Sequence, residues 1–340
     1  MNGTALIYHK DYLLHDIPFH PERKERLIAT LNYFEKTGVL KRVDIITPNI
    51  AEEKDILRVH SKNLLEKIKE ISLKGRGSID VDTLLNSHTY KVALLAAGGV
   101  ILAADLVLRG EYKNSFALIR PPGHHATIEH AMGFCYFNNV AIAVNYLREV
   151  CNIKRVCIMD WDAHAANGTM DIFYKTRDVF NISIHQDPSF FYPGTGFIEQ
   201  SGEGEGKGYT INIPMEEGAS NNDYYCLLKE FVIPKIKEFN PEFIIISSGC
   251  DSHKDDNISS LCLNEEGYAV MSNLFVTLSE ELCQGRLVIA LEGGYNLEAL
   301  VHSNYEIVRS LLGESEYGNK TKGDILNSTY NTLKKLQNIF

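Results

Sequence analysis

Carboxylate and imidazole side chains follow an apolar run at residues 155–164, which read Arg-Val-Cys-Ile-Met-Asp-Trp-Asp-Ala-His. The apolar residues predict a strand buried on both faces, as in a parallel sheet covered by helices. Alternate residues of a strand project to one side, so Asp160, Asp162 and His164 form a single row. A buried carboxylate costs several kcal/mol unless a cation or hydrogen bonds compensate it, and this row suits a borderline metal such as Zn²⁺ or Fe²⁺. The alternative, in which the acids cap a helix that begins near Asn167, accounts for one acid only.

Two histidines follow a second predicted strand, residues 116–119, in the sequence Arg-Pro-Pro-Gly-His-His at 120–125. The prolines and Gly123 predict a tight turn that holds His124 and His125 rigidly. A His–His pair alone is weak support for a site, because surface or core histidines are the commoner outcome. Ligands of open α/β sheets bind at the carboxyl ends of strands, so the pair and the first row together favour one site.

Two more apolar runs also end on polar groups. Residues 243–251 end on Gly249 and Asp251, and residues 286–295 end on a Gly-Gly turn that presents Tyr295. Glycines at such turns allow positive φ and a close approach of the backbone to a ligand. Asp251 could instead cap a helix and Tyr295 could be a packed aromatic residue. Because four strand ends carry polar groups, however, the sequence predicts one shared site.

Seven short motifs follow one another along the chain: Arg-Pro-Pro-Gly-His-His (120–125), Gly-Phe-Cys-Tyr-Phe-Asn-Asn (133–139), Asp-Trp-Asp-Ala-His (160–164), Asn-Gly-Thr (167–169), Phe-Tyr-Pro-Gly-Thr-Gly (191–196), Gly-Cys-Asp (249–251) and Glu-Gly-Gly-Tyr (292–295). In this order they resemble the histone deacetylase superfamily, which includes bacterial and archaeal acetoin-utilisation proteins and acetylpolyamine amidohydrolases. The resemblance, to a prokaryotic-type member, extends from His9 and His20 through Val-His-Ser at 59–61 to about Leu312. It therefore covers nearly the whole chain. One motif alone would be weak, whereas seven in the family's order are specific.

The composition is typical of a soluble globular protein, with 44% hydrophobic and 23% charged residues. The length predicts a single α/β domain, 1–340, in which a polar connector at 314–323 precedes a last helix at 324–338. The amino-terminal residues do not read as a signal peptide, and no run of ~18 apolar residues predicts a membrane span. Seven cysteines without a Cys-x-x-Cys motif predict reduced thiols in a cytoplasmic protein. The net charge of −10 disfavours direct nucleic-acid binding and mildly favours cationic substrates. It leaves the oligomeric state open.

Strand and helix patterns alternate along the chain, which predicts a mainly parallel sheet between helices. The predicted strands are residues 5–8, 116–119, 156–159, 179–184, 243–247 and 287–291. The predicted helices are residues 22–36, 63–72, 89–109, 138–150, 221–239, 265–283 and 297–312. The resemblance implies a three-layer, arginase-like form of this α/β class with eight parallel strands.

The residues and the resemblance together imply a metal-dependent amidohydrolase. Asp162, His164 and Asp251 would hold Zn²⁺, or else Fe²⁺ or Co²⁺, and leave an open coordination position for the reaction. His124 and His125 would supply a base and an acid: one takes the proton of a water molecule, and the leaving amine receives a proton.

Three further residues complete the implied catalytic group. Asp160 is placed to hold His124, and Asn167 is placed to hold His125. A charged partner and a neutral partner would give the two imidazoles different basicities and divide their roles. By resemblance, Tyr295 donates its hydroxyl to the oxyanion of the tetrahedral intermediate.

The resemblance also implies the substrate pocket. Phe134 and Tyr192 match the two aromatic positions that sandwich the aliphatic stem of an acyl-lysine, and Gly133 lines the channel between them. Asp82 lies about where the family keeps an acid that holds the substrate backbone. Ile258 takes the position at which polyamine-preferring members carry an acidic gatekeeper, which argues modestly against a polyamine specialist. The implied substrate is an acylated lysine or a small acylated amine.

Two family sites for a monovalent cation, K⁺ or Na⁺, have counterparts by resemblance. The first would use the Ser183 hydroxyl and the backbone carbonyls of Asp160, Asp162, His164 and Ile184. The second would use the backbone carbonyls of Phe173, Thr176, Val179 and Tyr209.

Two segments depart from the family pattern. The family's His-His-Gly is His164-Ala165-Ala166 here, and the usual Asp-Pro-Leu-Gly is replaced by Asp-Asp-Asn-Ile-Ser at 255–259. The ligand His164 remains, so we expect metal binding to survive. If the family's glycine has a positive φ, alanine at position 166 would strain the backbone there.

Two other functions are compatible with parts of this pattern. A ureohydrolase of the same fold needs a two-metal site with extra acids, and no Ser-Phe-Asp-x-Asp run follows Ile246. A non-catalytic acyl-lysine binding module would not need the full set of catalytic residues, all of which are present here. Metal stoichiometry separates the first alternative from a deacetylase, and turnover separates the second.

Overall fold

The computed structural model describes residues 2–321 and 323–340. Met1, within the predicted domain 1–340, and Lys322, within the predicted connector, lie outside the described residues. The strands in this part of the chain are β1 (Asn2–Ile7), β2 (Asp44–Ile46), β3 (Arg76–Ser78), β4 (Leu84–Asn86), β5 (Tyr112–Ala117), β6 (Val156–Asp160), β7 (Val179–Gln186), β8 (Thr210–Met215), β9 (Phe243–Ser248) and β10 (Leu287–Leu291).

Eight of these strands form one sheet in the order β2-β1-β5-β10-β9-β6-β7-β8, and β3 and β4 form a separate antiparallel pair. Every neighbouring pair in the large sheet is parallel. Parallel neighbours need a crossover connection, and helices supply these crossovers and cover the sheet. The predicted parallel eight-stranded sheet is therefore confirmed.

The helices that flank the sheet follow the alternating pattern of the sequence. They are α1 (Glu25–Lys36), α2 (Glu53–Ile56), α3 (Lys62–Leu73), α4 (Thr89–Leu108), α5 (Asn139–Glu149), α6 (Asn167–Phe173), α7 (Asn221–Leu227), α8 (Ile233–Phe239), α9 (Glu265–Cys283), α10 (Leu297–Leu311) and α11 (Asn327–Ile339). Among the described residues, α4 alone is long and apolar enough to cross a membrane by length and composition. Because 72% of its apolar window is buried inside the protein, we interpret α4 as a core helix.

The central strands β6, β9 and β10 are buried along their whole length. Each of the three isoleucines at 244–246 is fully buried, which contributes on the order of 2 kcal/mol per side chain before the entropy cost of ordering the chain. In the strand register, Asp160 lies opposite Ser247 and Leu291 lies opposite Ser248. These strands therefore end together, and the residues that follow them meet at one edge of the sheet.

Several element boundaries differ from the sequence prediction. Strands β2 and β8 were not predicted; β8 contains Pro214, which is tolerated because β8 is an edge strand. The predicted helix 22–36 begins at Glu25, because the side chain of Glu22 points into a buried ion pair. The predicted helix 221–239 is divided by a π-helical turn at Leu228–Val232, next to Pro234, which lacks a backbone N–H.

Candidate active site

Asp162, His164 and Asp251 converge just beyond the ends of β6 and β9. The His164 Nδ1 atom lies 3.0 Å from Asp162 Oδ1 and 3.1 Å from Asp251 Oδ2. The three donor atoms all lie within 4.8 Å of one another, and both carboxylates are fully buried. Asp251 is 87 residues from His164 in the chain, so the parallel pairing of β6 with β9 is what brings it to the group.

Two glycines allow the backbone to approach these carboxylates. A Cβ atom on Gly249 would lie 2.0 Å from Asp162 Oδ2, and one on Gly293 would lie 2.5 Å from the Oδ2 atoms of both aspartates. A side chain at either position would displace a carboxylate. The close approach lets the Gly293 N–H donate to Asp162 Oδ2 over 2.9 Å. Two carboxylates and an imidazole around this glycine-lined space fit a small divalent cation such as Zn²⁺.

The electrostatics of the aspartates also fit a cation. Burial and the nearby Asp162 carboxylate raise the pKa of Asp251 to about 6. Burial acts in the same direction on Asp162, but His124 and His164 outweigh it and lower the pKa of Asp162. Two carboxylates in contact with too little positive charge cannot both ionise at low cost. A divalent cation would supply the missing charge.

His124 and His125 lie side by side with different partners. The His124 Nδ1 atom is 3.1 Å from Asp160 Oδ2, and the His125 Nδ1 atom is 2.6 Å from Asn167 Oδ1. Burial opposes the charged form of His124, but Asp162 and Asp160 outweigh burial and raise the pKa of His124 well above its usual value. Burial and the neighbouring imidazoles lower the pKa of His125 well below its usual value.

Tyr295 follows β10 and is held from three directions. Its ring contacts the Phe134 ring edge to face, with 5.8 Å between the centroids, and the Arg26 guanidinium lies 5.2 Å from its ring centroid. Its backbone N–H donates to Asp256 Oδ2 over 2.6 Å. Burial raises the pKa of the Tyr295 hydroxyl well above its usual value, so the group is a proton donor at neutral pH.

Aromatic rings stand beside the histidines and Tyr295. The Tyr192 ring contacts the His125 ring edge to face at 5.0 Å. A Cβ atom on Gly133 would lie 2.5 Å from the His125 ring and 3.0 Å from the Tyr192 hydroxyl, so glycine keeps this passage open. Phe191, which the sequence analysis did not single out, stacks on the ring of His164 at 4.6 Å.

Comparison with known proteins gives the family of the chain. The family described as histone deacetylase domain matches residues 20–311. The chain belongs to the histone deacetylase family. It is 44% identical over 314 residues to a probable deacetylase of Archaeoglobus fulgidus, which covers 91% of this chain and 86% of that protein. It is 35% identical over 293 residues to the histone deacetylase-like amidohydrolase of Pseudomonas aeruginosa, which covers 86% of this chain and 76% of that protein.

A solved structure supports the same assignment. The HDA15 HD domain matches with a TM-score of 0.92 and 33% sequence identity, which covers 99% of this chain and 94% of that chain. The arginase-like deacetylase fold predicted from the resemblance is therefore confirmed. The chain is a hydrolase of the histone deacetylase family, whose members are generally metal-dependent.

The loops that carry Asp82 and Ile258 are fastened to the site of this deacetylase. The Asp82 carbonyl accepts from His20 Nε2 over 3.0 Å, and the His20 ring lies 4.5 Å from the Phe134 ring. Burial and the neighbouring Asp80 raise the pKa of the Asp82 carboxyl. The Ile258 N–H donates to the same Asp256 carboxylate that accepts from the Tyr295 N–H. The Asp82 loop therefore lies near the channel residue Phe134, and the Ile258 loop lies near Tyr295.

Strand pairing and hydrogen bonds connect some of the residues in each of the two monovalent-cation sets. Asp160 and Ser183 lie opposite each other in the β6–β7 pair, and the Ser183 hydroxyl is 2.7 Å from His185 Nδ1. In the second set, the Thr176 N–H donates to the Phe173 carbonyl, whereas the Tyr209 carbonyl accepts from Asn181. A carbonyl oxygen has two lone pairs, so a carbonyl that accepts one of these hydrogen bonds can still coordinate a cation.

The departure at Ala165-Ala166 does not place a residue with a β-carbon at a positive φ in this deacetylase. Ala166 has a φ of −74°, which every L-residue adopts, so this position does not need glycine. Ala166 lies directly before Asn167, the first residue of α6. The concern raised by the sequence about residue 166 is therefore removed.

Glu292 is a fully buried residue of the site to which the sequence analysis assigned no role. Its carboxylate accepts from the Gly123 and His124 N–H groups over 2.7 and 3.2 Å and from the Ser247 hydroxyl over 3.3 Å. Burial raises the pKa of Glu292 to about 7. It thus ties the end of β10 to the turn that carries the histidine pair. An acid at the end of an apolar run, the feature that pointed to Asp160, could have identified it.

A second missed group lies behind Tyr295. Glu22 accepts a bidentate pair of hydrogen bonds from Arg120, over 2.7 and 2.8 Å, and a third from Arg26 over 3.1 Å. Arg26 also donates to the carbonyls of Glu292 and Gly294 over 2.5 and 2.7 Å. The group therefore fixes the turn that presents Tyr295. Glu22 lies just after His20, where the resemblance begins, but its pairing with Arg120 was not predicted.

Proposed function

We propose that the protein is a Zn²⁺-dependent amidohydrolase that removes acetyl or another short acyl group from N-acyl-lysine or a related acylated amine. The observation that supports this most strongly is the convergence of Asp162, His164 and Asp251 beside two histidines with different partners. Fe²⁺ or Co²⁺ would also suit this donor set. When bound, the metal supplies Lewis acidity toward the acyl carbonyl and lowers the pKa of water.

The two histidines divide the proton transfers. His125 donates its Nδ1–H to the neutral amide oxygen of Asn167, which leaves the Nε2 lone pair free to take a proton from the attacking water. Asp160 faces Nδ1 of His124, and its negative charge stabilises the imidazolium form of His124. His125 thus accepts a proton from water, while the His124 imidazolium holds a proton that can pass to the leaving amine.

Tyr295 donates its hydroxyl to the oxyanion that forms when the acyl carbon becomes tetrahedral. The contacts with Phe134, Arg26 and Asp256 hold the residue in place before the reaction begins. Phe134, Gly133 and Tyr192 form the channel for the methylene groups of the substrate. Aromatic walls suit this stem because it is apolar along its length.

We also propose the domain organisation, the monovalent ions and the cellular setting of this enzyme. Residues 1–340 act as one deacetylase domain, and K⁺ or Na⁺ binds at one or both of the carbonyl sets near Ser183 and Tyr209. The protein acts in the cytoplasm on acylated substrates without a direct nucleic-acid or membrane partner. Asp82 holds the substrate backbone, and Ile258 lines the channel entrance.

The test is acetate release from an acetyl-lysine reporter by Zn²⁺-loaded protein, with a hydroxamate as inhibitor. We expect turnover, and we expect inhibition because a hydroxamate chelates the open metal position while its linker fills the channel. No turnover after loading with Zn²⁺, Fe²⁺ and Co²⁺ in turn would falsify the proposed enzymatic activity. Reporter binding without turnover would instead favour an acyl-lysine binding module, and two metals per chain would favour a ureohydrolase. A panel of acylated peptides, polyamines and small amines would then identify the substrate class.

A further inference from the structure

A cavity of about 790 Å³ lies at the end of the sheet opposite the candidate active site. Its lining includes residues that directly precede three neighbouring strands: Arg155 before β6, Asp178 before β7 and Tyr209 before β8. These strands are parallel, so their amino ends share one edge of the sheet, whereas Asp162 and His164 follow the carboxyl end of β6. We refer to this space as the amino-end cavity. Its volume lies within the range of roughly 300–1,000 Å³ that small-molecule sites have.

Several basic side chains line the amino-end cavity without an ion-pair partner among the residues that the structure describes. They are Lys154, Arg155, Arg177 and Lys207. The hydrogen bonds that two of them make go to neutral oxygens. Arg155 Nε donates to the Asn240 carbonyl over 2.8 Å, and Lys207 Nζ donates to the Ser201 hydroxyl over 2.7 Å. These contacts leave the positive charge of all four side chains uncompensated by a carboxylate.

The acidic side chains that line the amino-end cavity already have basic partners. Asp178 lies 2.9 Å from a guanidinium nitrogen of Arg148, which is not part of the lining, and Glu238 lies 3.0 Å from Lys235 Nζ. Lys235 also donates to the Phe340 carbonyl over 2.8 Å, so it is not counted with the four unpaired side chains. The whole chain has a net charge of −10, and a cavity with an excess of positive charge in such a protein attracts anions.

The loops that present the basic side chains are held in place by hydrogen bonds. The carboxylate of Glu242 accepts from the backbone N–H groups of Lys154 and Arg155 over 2.7 and 2.8 Å. The Ser201 carbonyl accepts from the Gly208 N–H, next to Lys207, over 2.6 Å. A ligand that enters a preorganised site loses less free energy to ordering the protein.

Aromatic rings also line the amino-end cavity. The rings of Phe180, Tyr209 and Phe239 pack on one another, with centroid distances of 5.2, 6.0 and 6.5 Å. Phe180 is buried, whereas Tyr209 and Phe239 are half-buried and keep part of their surface open to a ligand. Guanidinium and ammonium groups bind phosphate oxygens, and aromatic side chains stack on the bases of nucleotides. The lining therefore suits a ligand that carries both a phosphate and a planar ring.

We propose that the amino-end cavity binds a nucleoside phosphate. Its phosphate groups contact the unpaired basic side chains, and its base lies against the rings of Tyr209 and Phe239. Inorganic phosphate or an acidic peptide would match the charge of the cavity but would leave these rings without a partner. The site is separate from the metal-binding residues and from the substrate channel, so it does not depend on the proposed deacetylase function.

The experiment is isothermal titration calorimetry of the full-length, Zn²⁺-loaded protein with ADP, pyrophosphate and adenosine in turn. We expect ADP to bind with a Kd at least about tenfold lower than that of pyrophosphate, because stacking of one base has an effect of this order. Adenosine, which lacks the phosphates, should bind at least about tenfold more weakly than ADP. Added KCl should weaken the binding of ADP, since salt screens the contacts between the phosphates and the basic side chains.

Charge-removing variants test whether ADP binds in this cavity. Arg177→Gln/Lys207→Gln changes two exposed side chains of the lining, and we expect the Kd for ADP to rise by about tenfold or more. The matched control, Lys36→Gln/Lys41→Gln, also removes two exposed positive charges. Lys36 ends α1 and Lys41 precedes β2, at the other edge of the sheet from β8, so the Kd should stay within about twofold of wild type. If the double variant does not fold, each single variant should still raise the Kd by about threefold.

Four results would overturn the nucleoside phosphate as the ligand of this cavity. The first is the absence of ADP binding, and the second is pyrophosphate binding as tight as that of ADP. The third is a hexaglutamate peptide that binds more tightly than ADP, which would identify an acidic peptide as the ligand. The fourth is an unchanged Kd for ADP in the charge-removing variants, which would place ADP elsewhere. Loss of this binding when EDTA removes the metal would then locate ADP at the candidate active site.

Discussion

Glu22 and Asp251 are both fully buried carboxylates near the end of the same sheet, yet their surroundings shift their pKa values in opposite directions. Burial acts to raise the pKa of Glu22, but Arg120 and Arg26 outweigh it and lower the pKa to about 2. Burial and the Asp162 carboxylate raise the pKa of Asp251 to about 6. The two regions differ in the positive charge that the chain itself provides.

This difference distinguishes a structural ion pair from a site that needs a cation. The negative charge of Glu22 is compensated within the protein, because the guanidinium groups of Arg26 and Arg120 form ion pairs with its carboxylate. In contrast, the carboxylates of Asp160, Asp162 and Asp251 have ion-pair contacts only with histidines among the residues that the structure describes. A buried cluster of acids without lysine or arginine costs free energy unless a metal compensates it. The charge balance of a buried carboxylate, and not its burial alone, therefore indicates its role.

The largest expected effect comes from removing one of the buried carboxylates that have only histidines as ion-pair partners. Asp251→Ala deletes one of three donors, so we expect the loss of stoichiometric metal and of all measurable deacetylation. Metal content by mass spectrometry and acetate release would be measured on the same preparation. The control is Asp255→Ala, an exposed aspartate of the adjoining loop, which should keep both. If Asp251→Ala retained one metal per chain with normal affinity, the ligand set would be wrong.

Removing the charge of Glu22, which is paired with two arginines, should lower the stability of the folded protein. Glu22→Gln leaves two buried guanidinium groups without their carboxylate, and we expect the free energy of unfolding to fall by about 3–5 kcal/mol. The measurement is urea unfolding at neutral pH, on metal-free protein so that metal linkage does not contribute. The matched control, Glu35→Gln, changes an exposed glutamate on α1, the helix that follows Glu22 in the chain, and should shift the free energy by less than about 0.5 kcal/mol. A loss below 1 kcal/mol for Glu22→Gln would show that the arginines find other partners.

The pH dependence of this difference follows from the depressed pKa of Glu22. The pKa is about 2 in the folded protein, against the usual value of 4.5 for an unfolded chain. An acid with a lowered pKa contributes its full stability above the unfolded value and loses it as the pH falls toward the folded value. The gap between wild type and Glu22→Gln should therefore be constant from pH 7 to about pH 5 and shrink from about pH 4.5 toward pH 2.

An intermediate effect is expected when the carboxylates and the metal donors are left untouched. Tyr295→Phe removes one oxyanion donor, which typically lowers kcat by about 10²–10³. Because the three metal-binding residues remain, the variant should bind one metal and a hydroxamate as the wild type does. Tyr330→Phe, which removes an exposed hydroxyl on α11, is the matched control and should keep full activity. Full activity of Tyr295→Phe would rule out the role proposed for its hydroxyl.

The smallest effect is expected at Glu292, which bonds to backbone N–H groups and not to a cation. Glu292→Gln keeps an oxygen that can accept from the Gly123 and His124 N–H groups but loses the charge, so kcat should fall by about tenfold. Metal content and KM should stay close to wild type, because a positioning residue acts through the histidines. The exposed Glu298→Gln is the control. An unchanged kcat would mean that other contacts hold the histidine turn.

Much of this architecture could be predicted from local sequence patterns. The apolar runs at 156–159, 243–247 and 287–291 correspond to β6, β9 and β10, because a strand buried on both faces needs apolar residues at every position. Strand β8 was missed because its asparagine and proline weaken the apolar pattern, and an edge strand tolerates both. The start of α1 was misplaced because the side chain of Glu22 is held by Arg120, a residue far along the chain.

The sequence by itself determined which side chains stand at the ends of the central strands, since strand periodicity and turn residues are local properties. It did not determine which acids share a site and which acids are neutralised by arginine. Arg120 and Glu22 are 98 residues apart, and Asp251 and His164 are 87 residues apart, so only the strand order of the sheet brings either pair together. The positive charge around a buried carboxylate depends on such distant pairs. For that reason the tertiary structure alone decided that Glu22 supports the fold and that Asp251 faces a site with room for a metal.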